Sequence, residues 1–246
     1  MVEPSLGLRK TTLVDYPGVV AATVFTAGCN LRCPFCHNPE LVTGPPPDDF
    51  LPVSQILSFL ERRRSVIGGV CITGGEPLLH PWLPDFASRA RSLGLKVKLD
   101  TNGMLPERIQ AVGAHFIAMD IKTAPSRYSL VGGDRVEGSD PTANLRRSIS
   151  IIREIAPEYE YRTTVTPRIV SEEDVIAIVA LLKPGERFTL AAFRPGNTLD
   201  PAFTNELPPT LALLERYAKI ASDRGLDVRI RENGVGGSQQ MAKWSV

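Results

Sequence analysis

Three cysteines stand close together near the start of the chain: Cys29, Cys33 and Cys36, in the run Gly28-Cys-Asn-Leu-Arg-Cys-Pro-Phe-Cys-His-Asn38. The C-x3-C-x2-C spacing offers three thiolate ligands from one short loop and no evident fourth. Structural zinc is tetrahedral and takes four protein ligands. Electron-transfer 4Fe–4S ferredoxins hold their irons with cysteine throughout. Three cysteines on such a cluster leave one iron open, and an open metal position can bind a substrate. The plainer alternative is a zinc knuckle completed by His37 or a distant residue. His37 directly follows Cys36, which makes it hard for both side chains to reach one tetrahedral ion.

A second group is Thr73-Gly74-Gly75-Glu76-Pro77, where exposed backbone and one carboxylate follow an apolar run. Such a turn can hold an amino group; alone it reads more readily as structural. Charged residues then alternate at further strand ends. Asp100 and Asn102 share a face, as do Asp120 and Lys122, and as do Arg162, Thr164 and Thr166. One buried Asp-x-Lys pair reads as a satisfied ion pair; three such strand ends facing one mouth read as a polar ligand pocket. Cys71 reads as a small core residue. His80 and His115 read as structural or solvated, and Trp82 and Trp244 carry no message.

These groups need a scaffold, and the chain supplies alternating strands and helices. Strands are expected at Val19–Thr26, Gly69–Thr73, Lys96–Asp100, Phe116–Ile121, Tyr159–Val165, Arg187–Phe193 and Leu226–Ile230. Between them, helices are expected at Ser54–Arg64 with Ser54 as N-cap, at Leu83–Leu93, and at Pro106–Val112. Three more follow: Pro141–Ile155, one capped by Ser171 with Asp174 three residues on, and Pro208–Arg224. A Gly- and Asp-rich loop spans about 125–141. Repeated β–α units give an α/β protein with a parallel sheet and right-handed crossovers. Six or seven units fall short of an eight-fold barrel, so a partial, open (β/α)6-type barrel is expected. The polar motifs fall at the C-terminal strand ends, where such folds bind ligands.

With 246 residues, one domain over 1–233 and a flexible Gly/Ser/Gln-rich tail over 234–246 are expected. The net charge of +1 gives no nucleic-acid footprint and no attraction to anionic membranes. No secretory segment and no 18-residue apolar run is present, and four cysteines make a poor disulfide framework. A reducing, cytoplasmic setting is expected.

Taken together, the cysteine loop with an aromatic before its third Cys, followed by Gly-Gly-Glu, resembles the radical S-adenosylmethionine (SAM) enzymes. Within them the chain is most similar to the glycyl-radical-enzyme activases, and among those to the type that activates anaerobic ribonucleoside-triphosphate reductase. The stretches carrying this are Thr12-Leu-Val-Asp-Tyr-Pro-Gly18, Phe25-Thr-Ala-Gly-Cys29, Cys36-His-Asn-Pro-Glu40, Lys98-Leu-Asp-Thr-Asn-Gly103, Met119-Asp-Ile-Lys122, Arg162-Thr-Thr-Val165 and Phe193-Arg-Pro-Gly196. The match covers about residues 5–200.

The resemblance implies that Cys29, Cys33 and Cys36 hold three irons of a 4Fe–4S cluster, with SAM chelating the fourth. Gly74, Gly75 and Glu76 would hold the SAM amino group. Asp120, Lys122 and Arg162 would contact its carboxylate or ribose, and Arg194 would lie near the ribose. Phe35, His37 and Asn38 would line the adenine. Asp100, Thr101 and Asp120 match a monovalent-cation site of related activases. The implied reaction is reductive cleavage of SAM to a 5′-deoxyadenosyl radical, which installs a glycyl radical on a partner enzyme. Flavodoxin or ferredoxin would be the electron donor. Only Cys71 is left over, so no auxiliary cluster is expected. Related activases place His where Arg194 stands, which leaves its role open. The competing readings are a radical SAM enzyme acting on a small molecule, peptide or nucleotide, and a non-catalytic zinc module.

Overall fold

A computed structural model describes residues 3–135 and 140–232. The tail expected over 234–246 lies outside the described residues, as do residues 136–139 of the expected loop. One sheet organises the chain. Its strands are β1 (Ser5–Thr12), β2 (Ala21–Thr26), β3 (Leu51–Pro52), β4 (Gly69–Gly74), β5 (Lys96–Thr101), β6 (Phe116–Asp120), β7 (Glu158–Val165), β8 (Arg187–Ala192) and β9 (Asp227–Arg231). The order across the sheet is β3-β1-β2-β4-β5-β6-β7-β8-β9. From β2 onward every neighbouring pair is parallel.

Six helices make the crossovers: α1 (Val53–Arg63), α2 (Leu83–Ser92), α3 (Pro106–Val112), α4 (Pro141–Ile155), α5 (Glu172–Val179) and α6 (Leu211–Asp223). Six β–α–β units carry seven parallel strands, and β3 and β9 end the order without pairing to each other. The open (β/α)6-type barrel is therefore the observed architecture.

The period of two along each strand separates the sheet's faces. Val70 and Ile72, Val97 and Leu99, Ile117 and Met119, Tyr161 and Val165, and Phe188 and Leu190 pack with the helices in one main core. Their alternates, Cys71, Lys98, Asp100, Glu160, Arg162 and Thr189, are joined to one another by hydrogen bonds and ion pairs on the opposite face. Tyr16, from the β1–β2 connection, sits edge-on to Phe116 with ring centroids 6.1 Å apart. Phe116 and Ala21 begin their strands, so this small separate core closes the N-terminal end of the polar face and leaves the C-terminal end for the site.

Several local expectations change. β1 and β3 are antiparallel additions the sequence pattern did not mark. In β1 only Leu6 and Leu8 alternate before Arg9-Lys10-Thr11-Thr12 dilutes the signal, and β3 has two residues. Ser54 is not the cap of α1, which begins at Val53. The Glu3 carboxylate instead accepts from Ser54 N at 2.7 Å and Oγ at 3.1 Å, doing a cap's work from outside the helix. α6 starts at Leu211 with Thr210 as N-cap, because Pro209 keeps Pro208 out of the helical region. The capping box of α5 forms as expected between Ser171 and Asp174. Pro125–Val131, within the expected loop, is a 3₁₀ segment that buries Tyr128. Among the described residues no helix is long and apolar enough to cross a membrane.

Candidate active site

The cysteine loop leaves the end of β2 and is pinned from several sides. Gly75 N donates to Thr26 O and Glu76 N to Gly28 O, each at 2.8 Å, so the end of β4 lies directly against the loop's first residues. Only glycine permits this approach: a Cβ on Gly75 would fall 2.0 Å from Gly28 O, and Gly74 takes a φ of +116°. His80 Nε2 lies 2.9 Å from Ala27 O. Farther along, Arg32 N donates to Val131 O at 2.8 Å, and Arg32 Nη1 turns back to Cys29 O at 2.5 Å. Leu199 N donates to Cys36 O at 3.1 Å and Asp200 N to Pro34 O at 2.9 Å. The 3₁₀ segment before Gly132 and the loop after β8 thus grip the cysteines from both sides. No motif marked either grip, since each is made through backbone atoms.

All three cysteines are free thiols, Cys33 buried and the other two partly so. Burial pushes the Cys29 thiol up to about 11 and Cys33 up to about 12, and raises Cys36; Lys122 opposes the rise at all three. Such thiols ionise when a metal centre replaces the lost solvation. Among the described residues no three His, Cys, Asp or Glu side chains converge to hold one metal ion. Cysteine ligands to separate irons of a cluster need no such convergence on one ion. Three soft sulfur donors suit iron–sulfur chemistry. Asn30 Nδ2, beside Cys29, is shielded from water and has no acceptor, as expected of a donor facing a sulfur-rich group. On donor set and orphaned amide, the loop fits a 4Fe–4S cluster.

Glu76 is 1% exposed. Its Oε1 accepts from Leu78 N at 3.1 Å and Thr101 Oγ1 at 2.9 Å, and its Oε2 from Asn102 N at 2.7 Å. Burial outweighs these bonds and raises its pKa to about 7. The Gly-Gly-Glu turn therefore does structural work, tying β4, β5 and the cysteine loop together, and leaves a carboxyl group poised to ionise beside a cation.

The strand ends assemble as anticipated. Arg162 donates from Nε to Asp120 at 2.7 Å and reaches Asp100 at 3.3 Å, while Lys122 binds Asp120 at 2.9 Å and Lys98 pairs with Asp100. Burial works against ionised Asp120, yet Arg162 and Lys122 outweigh it and hold its pKa well below the usual range. Lys122 is held protonated by Asp120 despite its burial. The charge that a monovalent cation would bring to Asp100, Thr101 and Asp120 is already supplied by Lys98, Arg162 and Lys122. Thr101 Oγ1 is engaged with Glu76.

The residues expected around an aromatic ligand separate. His37 stacks on Phe193, centroids 5.3 Å apart and 18° between planes. Its pKa is lowered by burial and by the nearby Arg194, so the ring is neutral. His37 and Arg194, distant in sequence, thus meet at one wall. Asn38 precedes a 3₁₀ turn and its carbonyl accepts from Leu41 N. Phe35 is 4% exposed and belongs to the main core, so it supports the loop from below rather than lining a mouth. Cys71 is buried, and His115 Nδ1 accepts from Val97 N at 3.1 Å, both structural as expected.

Comparison with known proteins gives four findings. The Radical SAM superfamily model matches residues 23–182. A relative named as a glycyl-radical enzyme activating enzyme, MJ1227 of Methanocaldococcus jannaschii, is 27% identical over 220 residues, 87% of this chain and 90% of that protein. A 7-carboxy-7-deazaguanine synthase of Methanopyrus kandleri is 33% identical over 131 residues, 44% of this chain and 51% of that protein. Among solved structures, Streptococcus suis SuiB superposes with a TM-score of 0.62 at 18% identity, over 86% of this chain. The chain spans about half of SuiB, 48%, and the likeness is one of fold.

Proposed function

This chain belongs to the radical SAM superfamily, and from that premise we propose that it is an activating enzyme that installs a glycyl radical in a partner protein. The superfamily's cofactors are a 4Fe–4S cluster and SAM, which when bound supply an electron to a sulfonium and hence a 5′-deoxyadenosyl radical. In this reading Cys29, Cys33 and Cys36 would hold the cluster and leave one iron open to SAM.

The chain's own residues then orient SAM and keep water away. Glu76, already anchored by Thr101, Asn102 and Leu78, faces the amine as an ionised carboxylate. Lys122 and Arg162, held by Asp120, offer the cations for the SAM carboxylate and ribose hydroxyls. The neutral His37 ring and Arg194 form the wall for adenine and ribose, with Asn38 beside them. A preset charge network costs little reorganisation when an ion enters it. The plug of Tyr16 and Phe116 shuts the opposite end, so a reactive radical meets its hydrogen donor only at the mouth.

The observation that carries the activase reading is the near full-length correspondence with MJ1227, most of both chains being aligned. The partner we propose is an anaerobic ribonucleotide reductase, with flavodoxin or ferredoxin as electron donor. Incubating reconstituted protein anaerobically with SAM, reductant and that reductase should give a glycyl-radical signal by electron paramagnetic resonance. SAM cleavage without that signal would overturn the assignment. The partial match to 7-carboxy-7-deazaguanine synthase favours a second reading, chemistry on a small molecule. That reading predicts SAM consumption with a purified heterocyclic substrate and no protein radical.

A further inference from the structure

Asn102 directly follows β5. Its side chain is buried and fully oriented. Oδ1 accepts from Met104 N at 3.0 Å, so the amide's other end must be the donor. That Nδ2 donates to Asn30 Oδ1 at 2.7 Å and reaches Cys29 Sγ at 3.9 Å. Its own backbone N–H is bound to Glu76 Oε2. One residue therefore joins the Gly-Gly-Glu turn to the first cysteine.

Asn30 extends the link. Its Oδ1 is occupied by Asn102, so its Nδ2 faces away, solvent-shielded and lacking an acceptor, one residue from Cys29. Asn102 Nδ2 thus reaches the Cys29 sulfur with its position fixed by Asn30, and among the described residues Leu31 N also donates to Sγ, at 3.5 Å. Hydrogen bonds to cluster sulfurs stabilise the added negative charge of the reduced state and raise its potential.

We infer that Asn102 is a positioning residue that donates to the Cys29 sulfur and sets the cluster's reduction potential, while fixing Glu76 relative to that corner. The inference rests on Cys29 being a cluster ligand, as proposed above. A charge-assisted bond of ordinary strength changes the reduced-to-oxidised ratio at a fixed ambient potential about tenfold, which for one electron is about 59 mV.

The test is a redox titration, followed by electron paramagnetic resonance, of the reconstituted protein without SAM. Wild type is compared with Asn102→Ala and Asn102→Asp, with iron content and circular dichroism measured for each. Asn102→Asp keeps the shape and the acceptor for Met104 but removes the donor. Both variants should load iron and titrate at a potential about 59 mV or more below wild type, Asn102→Asp lowest because it adds charge. Full loading with unchanged potentials would overturn the inference. So would variants that fold but take up no iron, or that both fail to fold, since either makes the residue structural only. A wild type that takes up no iron would instead overturn the cluster reading itself.

Discussion

Replacing Glu76 by Gln isolates what burying this carboxylate does to stability. In the folded chain the group titrates at about 7, against an ordinary 4.5, because burial disfavours its charged form more than its hydrogen bonds favour it. The folded state therefore binds this proton more tightly than the unfolded state. The resulting stabilisation is fully present below pH 4.5 and is lost as pH rises through about 7. The gap between about 7 and 4.5, at about 1.4 kcal/mol per pH unit, amounts to roughly 3 kcal/mol. Gln has no such titration. Urea unfolding of the metal-free chain under reductant, at pH 5, 6.5 and 8, gives the two stabilities by linear extrapolation. Relative to Glu76→Gln, wild type should lose about 2–3 kcal/mol between pH 5 and 8. The Gln amide changes the offset between the curves through its altered bonds to Thr101 and Asn102, not their divergence with pH. Curves that stay parallel would refute the conclusion that burial dominates at this site.

Three further outcomes follow from the same geometry. Gly75→Ala should destabilise by about 3–5 kcal/mol, because its Cβ would drive β4 off Gly28 O and break two strand-end hydrogen bonds, and iron uptake should fall with it. Arg162→Met leaves the Asp100 and Asp120 carboxylates short of their shared cation, a loss of about 3–5 kcal/mol at pH 7 in chemical unfolding. Tyr16→Ala should cost about 3–4 kcal/mol by emptying the small core against Phe116, with no change in far-ultraviolet helix signal.

The parallel strands were legible because burial makes them short apolar runs bounded by helices, and the charged alternates at Asp100, Asp120 and Arg162 stood out against them. β1 was not, since its register is set by pairing with β2 rather than by its own alternation. Phe35 was expected beside adenine through the resemblance alone, and its ring is buried within the main core. The grips at Val131 and at Leu199–Asp200 left no trace in residue types. Backbone carbonyls accept them, and any sequence supplies carbonyls. Asn102 was visible as a polar alternate and within the Lys98–Gly103 stretch, but its reach to Cys29, 73 residues away in sequence, depends on β2, β4 and β5 lying side by side.

We propose that this chain cleaves SAM with a cluster held by Cys29, Cys33 and Cys36. The most direct test is release of 5′-deoxyadenosine by the anaerobically reconstituted, reduced protein, measured beside Cys33→Ala. Iron-dependent 5′-deoxyadenosine from wild type and none from the variant is the predicted result. A protein that binds zinc in place of iron, or that loads iron and leaves SAM intact, would contradict it.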